Sequence, residues 1–200
     1  MNEELLWVRQ AQQGQDEAFT KLVETYQTPV FNLCYRMLGE AAWAEDAAQE
    51  TFLRAYQHIH RYDVKRPFAT WLLSIAAHHC IDTLRRRKFS IFSLDAEDED
   101  GNAVELPDPR APDPEQASQD AQTNQRVHAL LNDLDPTDRA AVIMRYWYDY
   151  SEVEIADSLR LTVSAVKSRL HRSRRELANL WKTQDARFES ERRTYEAPAF

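Results

Sequence analysis

The 200-residue chain has few of the residues that mark several common protein classes. Its three glycines argue against a fold rich in tight hairpins, and its two cysteines, Cys34 and Cys80, are too few for a disulfide framework. No apolar run approaches the length of about eighteen residues that a membrane span requires. The N-terminal stretch MNEELLWVRQ lacks the basic-then-apolar layout of a secretory signal. These absences predict a soluble cytoplasmic protein that does not insert into membranes.

Signals of catalysis are also missing. No glycine-rich phosphate loop occurs, and carboxylate pairs such as Glu45 and Asp46 have no nucleophile or histidine beside them. The stretch HHC at 78–80, together with Cys34, matches no zinc-ligand spacing, and His79 falls on an apolar helix face. The sequence therefore predicts no enzyme activity, no catalytic residue, no cofactor and no metal site.

Negative charge is concentrated in one segment of the chain. Residues 95–122 contain one arginine against ten acidic residues, whereas residues 1–94 contain eleven basic and eleven acidic residues. The same segment contains Gly101 and several prolines, and such a composition cannot bury enough apolar surface to offset the entropy of ordering. It is therefore predicted to be a flexible linker. Its function would be that of a plain solvated tether or, alternatively, that of a mimic of nucleic-acid charge.

Helical periodicity dominates both sides of this linker. Apolar residues recur at spacings of three and four, and abundant Ala, Leu, Arg, Glu and Gln favour helices. Pro29 predicts a kink or break within one run, and Pro67 a helix start. The fold class is predicted to be all-α, with two small helical domains joined by a flexible acidic linker. The predicted divisions are 1–94, 95–122, 123–182 and a tail of unknown role, 183–200.

The stretch VSAVKSRLHRSRREL, at 163–177, concentrates positive charge in one helix. Its apolar residues fall within about a third of the circumference, at 100° per residue, and leave a basic and hydroxylic face outside. A short helix precedes it, with Ser151 and Glu154 as a capping box, then the break RLT, and Thr162 or Ser164 as a cap. This order is typical of a helix-turn-helix unit that places its second helix in the DNA major groove. The alternative is a basic surface helix that only confers solubility or binds acidic protein.

Two stretches together resemble a known family. AEDAAQETFLRAYQHIHRYD, continued by RPFATWLLSIAAHHCIDTLRRRK, is similar to region 2 of bacterial sigma factors. LDPTDRAAVIMRYWYDYSEVEIADSLRLTVSAVKSRLHRSRREL resembles region 4. The two-domain layout is similar to that of the extracytoplasmic-function (ECF) group. The resemblance implies a transcription initiation factor that binds core RNA polymerase and directs it to promoters, recognising the -35 element and melting the -10 element.

The resemblance implies three sets of site residues. Those that would contact the clamp coiled coil of the polymerase are Asp46, Gln49, Glu50, Leu53 and Arg54. Those that would read and melt the -10 element are Tyr62, Phe68, Ser74, His78, Asp82, Arg85 and Arg86. Those that would contact the -35 element are the base-reading Lys167, Ser168, His171 and Arg172 and the backbone-contacting Arg169, Arg174 and Arg175.

Departures from the family pattern concern the DNA-facing helices. His78 stands where the family often has Asn, and Arg160 occupies a turn position that often carries Gly. Arg160 must therefore adopt a left-handed backbone or form a different turn. The resemblance further implies promoter DNA, the polymerase clamp and flap, and an anti-sigma factor as partners. Two alternatives stay open, a stand-alone helix-turn-helix regulator and a helical adaptor that binds only proteins.

Overall fold

The computed structural model describes residues 3–93 and 125–195, with side-chain environments over 3–88 and 125–183. Helices account for nearly all of these residues, and no β-strand occurs among them, which confirms the all-α class. In chain order the elements are α1 (Glu3–Gln12), α2 (Asp16–Leu38), α3 (Ala41–His58), a 3-10 turn (Ile59–Arg61), α4 (Phe68–Ser93), α5 (125–132 as described), α6 (Pro136–Trp147), α7 (Glu152–Leu159) and α8 (Val163–Tyr195).

Residues 3–93, the N-terminal half, form a bundle in which α2, α3 and α4 pack against one another. Pro29 lies inside α2, and the helix is nevertheless continuous, so the predicted break does not occur. Leu22 before the proline and Val30 and Leu33 after it are buried, and this packing holds the helix together. Gly39, with φ of 81°, ends α2 in the left-handed region that favours glycine.

Cys34 and Cys80 meet in the core of the N-terminal half, one from α2 and one from α4. Both are buried free thiols. Contact with the Cys34 thiol, followed by burial, raises the pKa of the Cys80 thiol. A thiol held protonated and away from water is a poor nucleophile, so the pair acts as apolar packing.

Residues 125–195, the C-terminal half, begin their helices with the predicted caps. The Asp135 carboxylate accepts a hydrogen bond from the Thr137 amide at 2.9 Å, with Pro136 in the first turn of α6. Ser151 and Glu154 form the complete capping box of α7, and hydrogen bonds from Ser151 lower the pKa of Glu154. The last helix, α8, continues without interruption to Tyr195, so the predicted boundary at 182 lies within a helix. The predicted linker at 95–122 lies outside the described residues.

The two halves pack together around Arg139 of α6. This side chain is only 4% exposed, and its guanidinium donates to the Met37 carbonyl of α2 at 2.5 Å. It also donates to the side-chain and backbone oxygens of Asn132, at 2.9 and 2.8 Å. Burial lowers the pKa of Arg139 to about 10. One cation therefore joins the last turn of α2 to the α5–α6 turn.

Aromatic side chains extend the contact between the halves. The Tyr148 hydroxyl donates to the Pro29 carbonyl at 2.6 Å. The ring of Tyr35 meets that of His128 edge-on, with 4.7 Å between centroids. Arg36 lies over the ring of Trp147 at 5.3 Å. The buried side chains of both halves thus form one continuous core.

Mild acid is expected to lower the stability of the folded chain. Burial lowers the pKa of His128 and of His79, and nearby arginines add to the effect. The Nδ1 atoms of both rings are buried without a hydrogen-bond partner. Below the ordinary histidine pKa of 6.5, the unfolded chain binds protons that the folded chain does not, so stability present above that pH is lost as the pH falls.

For each histidine, the free energy of unfolding falls by at most about 1.4 kcal/mol per pH unit. Urea unfolding at pH 7.5, 6.5 and 5.5 measures it, and the fall should be shallower in His128→Gln than in wild type. His58→Gln is the control, because His58 is exposed. Equal slopes in all three proteins would contradict the prediction.

Candidate nucleic-acid and protein interfaces

The α7–α8 turn has the geometry of a helix-turn-helix. Arg160 ends α7 with φ of 55° and ψ of 44°, so it takes the left-handed backbone rather than a different turn. Its amide and that of Leu161 both donate to the Ala156 carbonyl, the latter at 2.9 Å. For a residue other than glycine, this left-handed conformation destabilises the folded state by about 1 kcal/mol. Thr162 caps α8 by accepting from the Ala165 amide at 3.2 Å, one of the two predicted caps.

The exposed face of α8 is basic, as predicted. Val166 and Leu170 are buried and anchor the helix on α6 and α7, while Ser173 is buried beside them. The side chains on the opposite face are exposed: Lys167, Ser168, His171, Arg172 and Arg175. Up to Arg175 no acidic side chain interrupts that face, and the exposed Glu176 lies at its edge, so the face can meet a polyanion.

Arg169 and Arg174 differ from the other predicted contacts. The Arg169 guanidinium donates to the Asp138 carboxylate of α6 at 2.5 Å and lies 3.9 Å from Asp135. This ion pair fixes α8 on α6 and leaves Arg169 half-buried. Arg174 lies at the edge of an apolar groove, 80° from Val166 around the helix at about 100° per residue. Sequence periodicity separated both from the apolar stripe but did not reveal which neighbours they meet.

Tyr62 and Phe68 are buried, at 7% and 2% exposure. Their rings meet at 5.5 Å, and the Tyr62 hydroxyl donates to the Arg66 carbonyl. They therefore support the loop at 63–67 from the side of the core and do not face solvent. Sequence reasoning missed Trp71, whose ring lies tilted against that of Tyr62 with 4.8 Å between centroids and which is only half-buried. The sequence did indicate this residue by its position, one turn after the start of α4 and close to the predicted -10 residues.

The remaining predicted -10 residues line one side of α4. Ser74 and His78 are half-buried and linked, since the His78 ring nitrogen lies 2.8 Å from the Ser74 carbonyl oxygen. Asp82, Arg85 and Arg86 are exposed. The helix thus carries a polar stripe followed by positive charge, in the predicted order.

The predicted polymerase-binding residues form one exposed arc of α3. Asp46, Gln49 and Leu53 are exposed, and Leu53 shows 52% of its surface. Glu50 and Arg54 are half-buried and form an ion pair of 2.6 Å. An exposed leucine among short polar side chains suits a protein partner, because DNA offers little apolar surface to cover it.

An apolar groove crosses the C-terminal half between α5, α6 and α8. Its volume is about 350 Å³. Tyr146, Trp147 and Trp181 line it and are partly exposed. Of the residues at 144–150, Tyr146 and Trp147 thus lie outside the core. Helix periodicity turns these two outward while Met144 and Tyr150 are buried.

A second cavity, of about 390 Å³, lies between α3 and α4. Trp43 and His79 line it, and Arg87 lies over the Trp43 ring at 4.2 Å and 3.9 Å from the Glu40 carboxylate. The His79 ring is half-buried, and its Nδ1 atom has no hydrogen-bond partner. Among residues 3–93 and 125–195, no cluster of three or more potential metal ligands occurs. Over the same ranges, no helix is long and apolar enough to cross a membrane.

The class of protein is defined by two helical halves that pack together. The second half ends in a helix-turn-helix with a basic exposed face. Residues 22–90 match the family model of Sigma-70 region 2, and residues 124–177 match that of Sigma-70, region 4. The ECF RNA polymerase sigma factor SigW of Bacillus subtilis (strain 168) is 34% identical over 173 residues, covering 85% of this chain and 92% of SigW. The chain therefore belongs to the ECF RNA polymerase sigma factors of the sigma-70 family.

Solved structures agree with this fold. CnrH, in complex with the cytosolic domain of CnrY, has a TM-score of 0.65 at 22% identity, over 91% of this chain and 99% of CnrH. The sigma factor RpoE, in complex with the anti-sigma factor NepR from Bartonella quintana, has a TM-score of 0.65 at 20% identity, over 82% of this chain and 96% of RpoE. At these identities the likeness concerns the fold alone.

Proposed function

We propose that this chain is a promoter-specificity subunit that binds core RNA polymerase, recognises the -35 element with its C-terminal half and melts the -10 element with its N-terminal half. The observation that carries the proposal is the exposed basic face of α8, docked by Val166 and Leu170 after a helix-turn-helix turn. The chain contributes binding energy and no chemical step of its own. It acts with the polymerase in the cytoplasm.

Recognition of the -35 element falls to the exposed face of α8. Lys167 and Arg172 can donate to guanine acceptors in the major groove, and Ser168 and His171 can bond to either base or phosphate. Arg175 is placed to hold a phosphate, which positions the helix without selecting sequence. Arg169 is left out of this set because Asp138 already holds it.

Melting of the -10 element falls to α4 and the loop before it. Capturing an unpaired base requires stacking and hydrogen bonds that offset the loss of pairing. Ser74, His78 and Asp82 supply polar groups on one side of α4, and the half-buried Trp71 supplies an aromatic face. Arg85 and Arg86 are placed to hold the phosphates. Tyr62 and Phe68 hold the loop in position from the core.

Protein partners fit the two remaining surfaces. The α3 arc around Leu53 suits the clamp coiled coil of the polymerase, and the apolar groove lined by Trp147 and Trp181 suits a helix of the flap. RpoE, which has a similar fold and was solved in complex with the anti-sigma factor NepR, supports an anti-sigma factor as a further partner of this chain.

Transcription reconstituted from purified components tests the proposal. Transcript mapping after overexpression identifies the promoter, and the purified chain is then mixed with core polymerase and that promoter. Specific transcripts that require both proteins support the proposal. Tight specific duplex binding without transcription would instead favour a stand-alone regulator, and absence of both activities would favour a protein-binding adaptor.

Replacing Arg172 by alanine is expected to weaken recognition of the -35 element by about 1–3 kcal/mol, because a guanidinium that reaches a base edge is lost. Promoter binding of the reconstituted holoenzyme measures the effect, on the native site and on sites with single -35 substitutions. Preference at one base position should relax. Arg160→Ala is the matched control, since Arg160 is exposed but lies in the turn before α8. An unchanged base preference in Arg172→Ala would remove this residue from the set.

A further inference from the structure

The loop at 63–67, which leads into the proposed -10 helix α4, is held at its first end by a side chain of α1. The side-chain amide of Gln12 donates to the Ile59 carbonyl at 3.0 Å and to the Tyr62 carbonyl at 2.8 Å. Both neighbours are acceptors, so the NH2 group of the amide must face them. One side chain of α1 thus fixes the last carbonyl before the loop.

The apolar side of α1 decides that Gln12 faces the turn. Val8 and Ala11 are buried, and α1 packs on α2 and on the 3-10 turn. At about 100° per residue, Gln12 is about 40° around the helix from Val8, whereas Gln13 is about 140° from it. Gln12 is accordingly half-buried and Gln13 is exposed. The chain therefore offers two adjacent glutamines, of which one bonds to the turn.

A second contact joins α1 to the other end of the loop. The Glu4 carboxylate accepts a hydrogen bond from the Tyr26 hydroxyl at 2.5 Å. The Tyr26 ring meets the ring of Phe68, the first residue of α4, with 5.5 Å between centroids. Helix α1 thus contacts the residue before the loop directly and the residue after it through Tyr26.

Tyr62 connects Gln12 to the proposed DNA-binding surface. Its carbonyl accepts from Gln12, and its hydroxyl donates to the Arg66 carbonyl at the far side of the loop. Its ring lies against that of the half-buried Trp71, with 4.8 Å between centroids. A displacement of Tyr62 therefore moves both the loop and the aromatic face proposed to stack on an unpaired base. Binding groups work only when they are held within about 0.5 Å of the required position.

We propose that Gln12 is a positioning residue for melting of the -10 element. Its amide fixes Tyr62, and Tyr62 holds the loop at 63–67 and Trp71 in the arrangement that captures an unpaired base. Gln12 acts through Tyr62 and needs no contact with DNA. The proposal rests on the proposed function, since it adds a residue to the -10 recognition assigned there.

Gln12→Glu is the variant that tests the donor. It replaces the NH2 group by an oxygen at nearly equal size, so that a carboxylate, which only accepts, faces two carbonyl oxygens. Gln13→Glu is the matched control, because it makes the same change at the exposed neighbour. Gln12→Lys restores a donor, since an ammonium group has three N–H bonds and accepts none.

Promoter opening by the reconstituted holoenzyme measures the effect. A fluorescent adenine analogue in the mapped -10 element reports the opening rate on the native promoter and on promoters with single -10 or -35 substitutions. Gln12→Glu should open the native promoter at least about tenfold more slowly, the effect of about one hydrogen bond and the repulsion that replaces it. The ratio of rates on native and substituted -10 elements should fall, and the ratio for -35 elements should not. Gln12→Lys and Gln13→Glu should resemble wild type.

The -10 ratio separates positioning from mere support of the fold. A variant that only folds less well yields less active holoenzyme, which lowers every rate by the same factor and leaves the ratio unchanged. An unchanged -10 ratio in Gln12→Glu therefore overturns the proposal. A fall of equal size in Gln13→Glu or in Gln12→Lys also overturns it, because the donor at this position would then not be the cause.

Hydrogen exchange tests the contact in the free chain, without polymerase or DNA. The amides of Tyr62 and Arg66 donate to carbonyls within the turn and the loop, so a peptide covering 59–67 reports their protection. This peptide should exchange faster in Gln12→Glu than in wild type and Gln13→Glu. Equal exchange in the three proteins overturns the proposal.

Gln12→Met covers the case in which Gln12→Glu does not fold, as judged by circular dichroism. Methionine removes the donor without adding charge, and it should slow opening of the native promoter about two- to tenfold, the effect of one hydrogen bond. The -10 ratio should fall in the same direction. A rate and a ratio equal to those of wild type overturn the proposal.

Failure of the proposed function gives a different result. Wild type with core polymerase then yields no promoter-specific transcript and no opening signal, and the positioning role fails with it. When the positioning role fails alone, wild type gives normal transcripts, and the variants at Gln12 match it in exchange and in the -10 ratio. Transcription by wild type thus distinguishes the two failures.

Discussion

Arg139→Met should lower the free energy of unfolding by about 3 kcal/mol. The guanidinium donates to the carbonyl oxygens of Met37 and Asn132 and to the Asn132 side chain. Methionine fills a similar volume but donates nothing, so buried carbonyls lose their partner at about 1–3 kcal/mol each. Relief of the buried charge, whose cost is seen in the lowered pKa of Arg139, offsets part of that loss.

Urea denaturation followed by far-ultraviolet circular dichroism measures the change. Arg9→Met is the control, because Arg9 is exposed on α1 and its substitution should stay within about 0.5 kcal/mol of wild type. Since Arg139 joins the halves through Met37, the unfolding transition of Arg139→Met should also be broader than that of wild type, or split, as each half unfolds separately. A midpoint and slope for Arg139→Met equal to those of Arg9→Met would show that the buried bonds contribute nothing net.

Arg139→Lys separates charge from geometry at the same position. Lysine keeps the positive charge but cannot form three bonds from one planar group, so most of the loss should remain. Recovery of wild-type stability by lysine would mean that charge alone, and not the arrangement of the donors, joins α2 to the α5–α6 turn.

Local features of the fold were predictable because their causes are local. Ser151 and Glu154 lie three residues apart at a helix start, and the capping box between them forms as the spacing predicts. Arg160 had two possible conformations, and the turn between α7 and α8 selects the left-handed one, since its amide must reach the Ala156 carbonyl. The apolar stripe of α8 likewise follows from helical periodicity, with Val166 and Leu170 inside.

Other features depend on which helices meet, and periodicity does not contain that information. Arg169 belongs to the basic run of α8, yet it pairs with Asp138 because α6 crosses α8 at that point. Tyr62 and Phe68 flank a loop, yet both turn inward into a cluster with Trp71. The positions of Tyr62 and Phe68 in the sequence therefore identified the loop. They did not show that these two side chains point into the core.

Packing between the halves was the feature furthest from the sequence. An acidic segment between two helical blocks predicted two helical domains, but it did not predict that α6 rests on both α2 and α4. The signal was present in Arg139, an arginine within the run DRAAVIM whose neighbours Ala140 and Ala141 are buried. A cation on the apolar side of a helix requires a buried acceptor, so periodicity could have identified Arg139 as a buried contact, although not Met37 as its partner.

Leu53→Asp should weaken binding of core polymerase by at least about 2 kcal/mol, or roughly thirtyfold, while leaving the fold intact. Leu53 is 52% exposed, so its replacement removes little internal packing. Aspartate would add a third carboxylate to an arc that already holds Asp46 and Glu50, and a partner that covers the leucine would have to desolvate it. The energetic weight of an interface rests on such central apolar anchors, whereas rim charges contribute less.

Leu6→Asp is the matched control for this prediction, since Leu6 of α1 is 46% exposed and lies outside the arc. Both variants lose a similar exposed apolar surface and gain the same charge within a helix, so solubility and helix propensity change alike. Competition with labelled wild-type chain for purified core polymerase gives the affinities. If both variants compete like wild type, the α3 arc does not carry polymerase binding; if both lose equally, the effect is one of charge and not of position. Loss in Leu53→Asp alone assigns a polymerase contact to the α3 arc, because the two variants carry the same substitution and differ in its position.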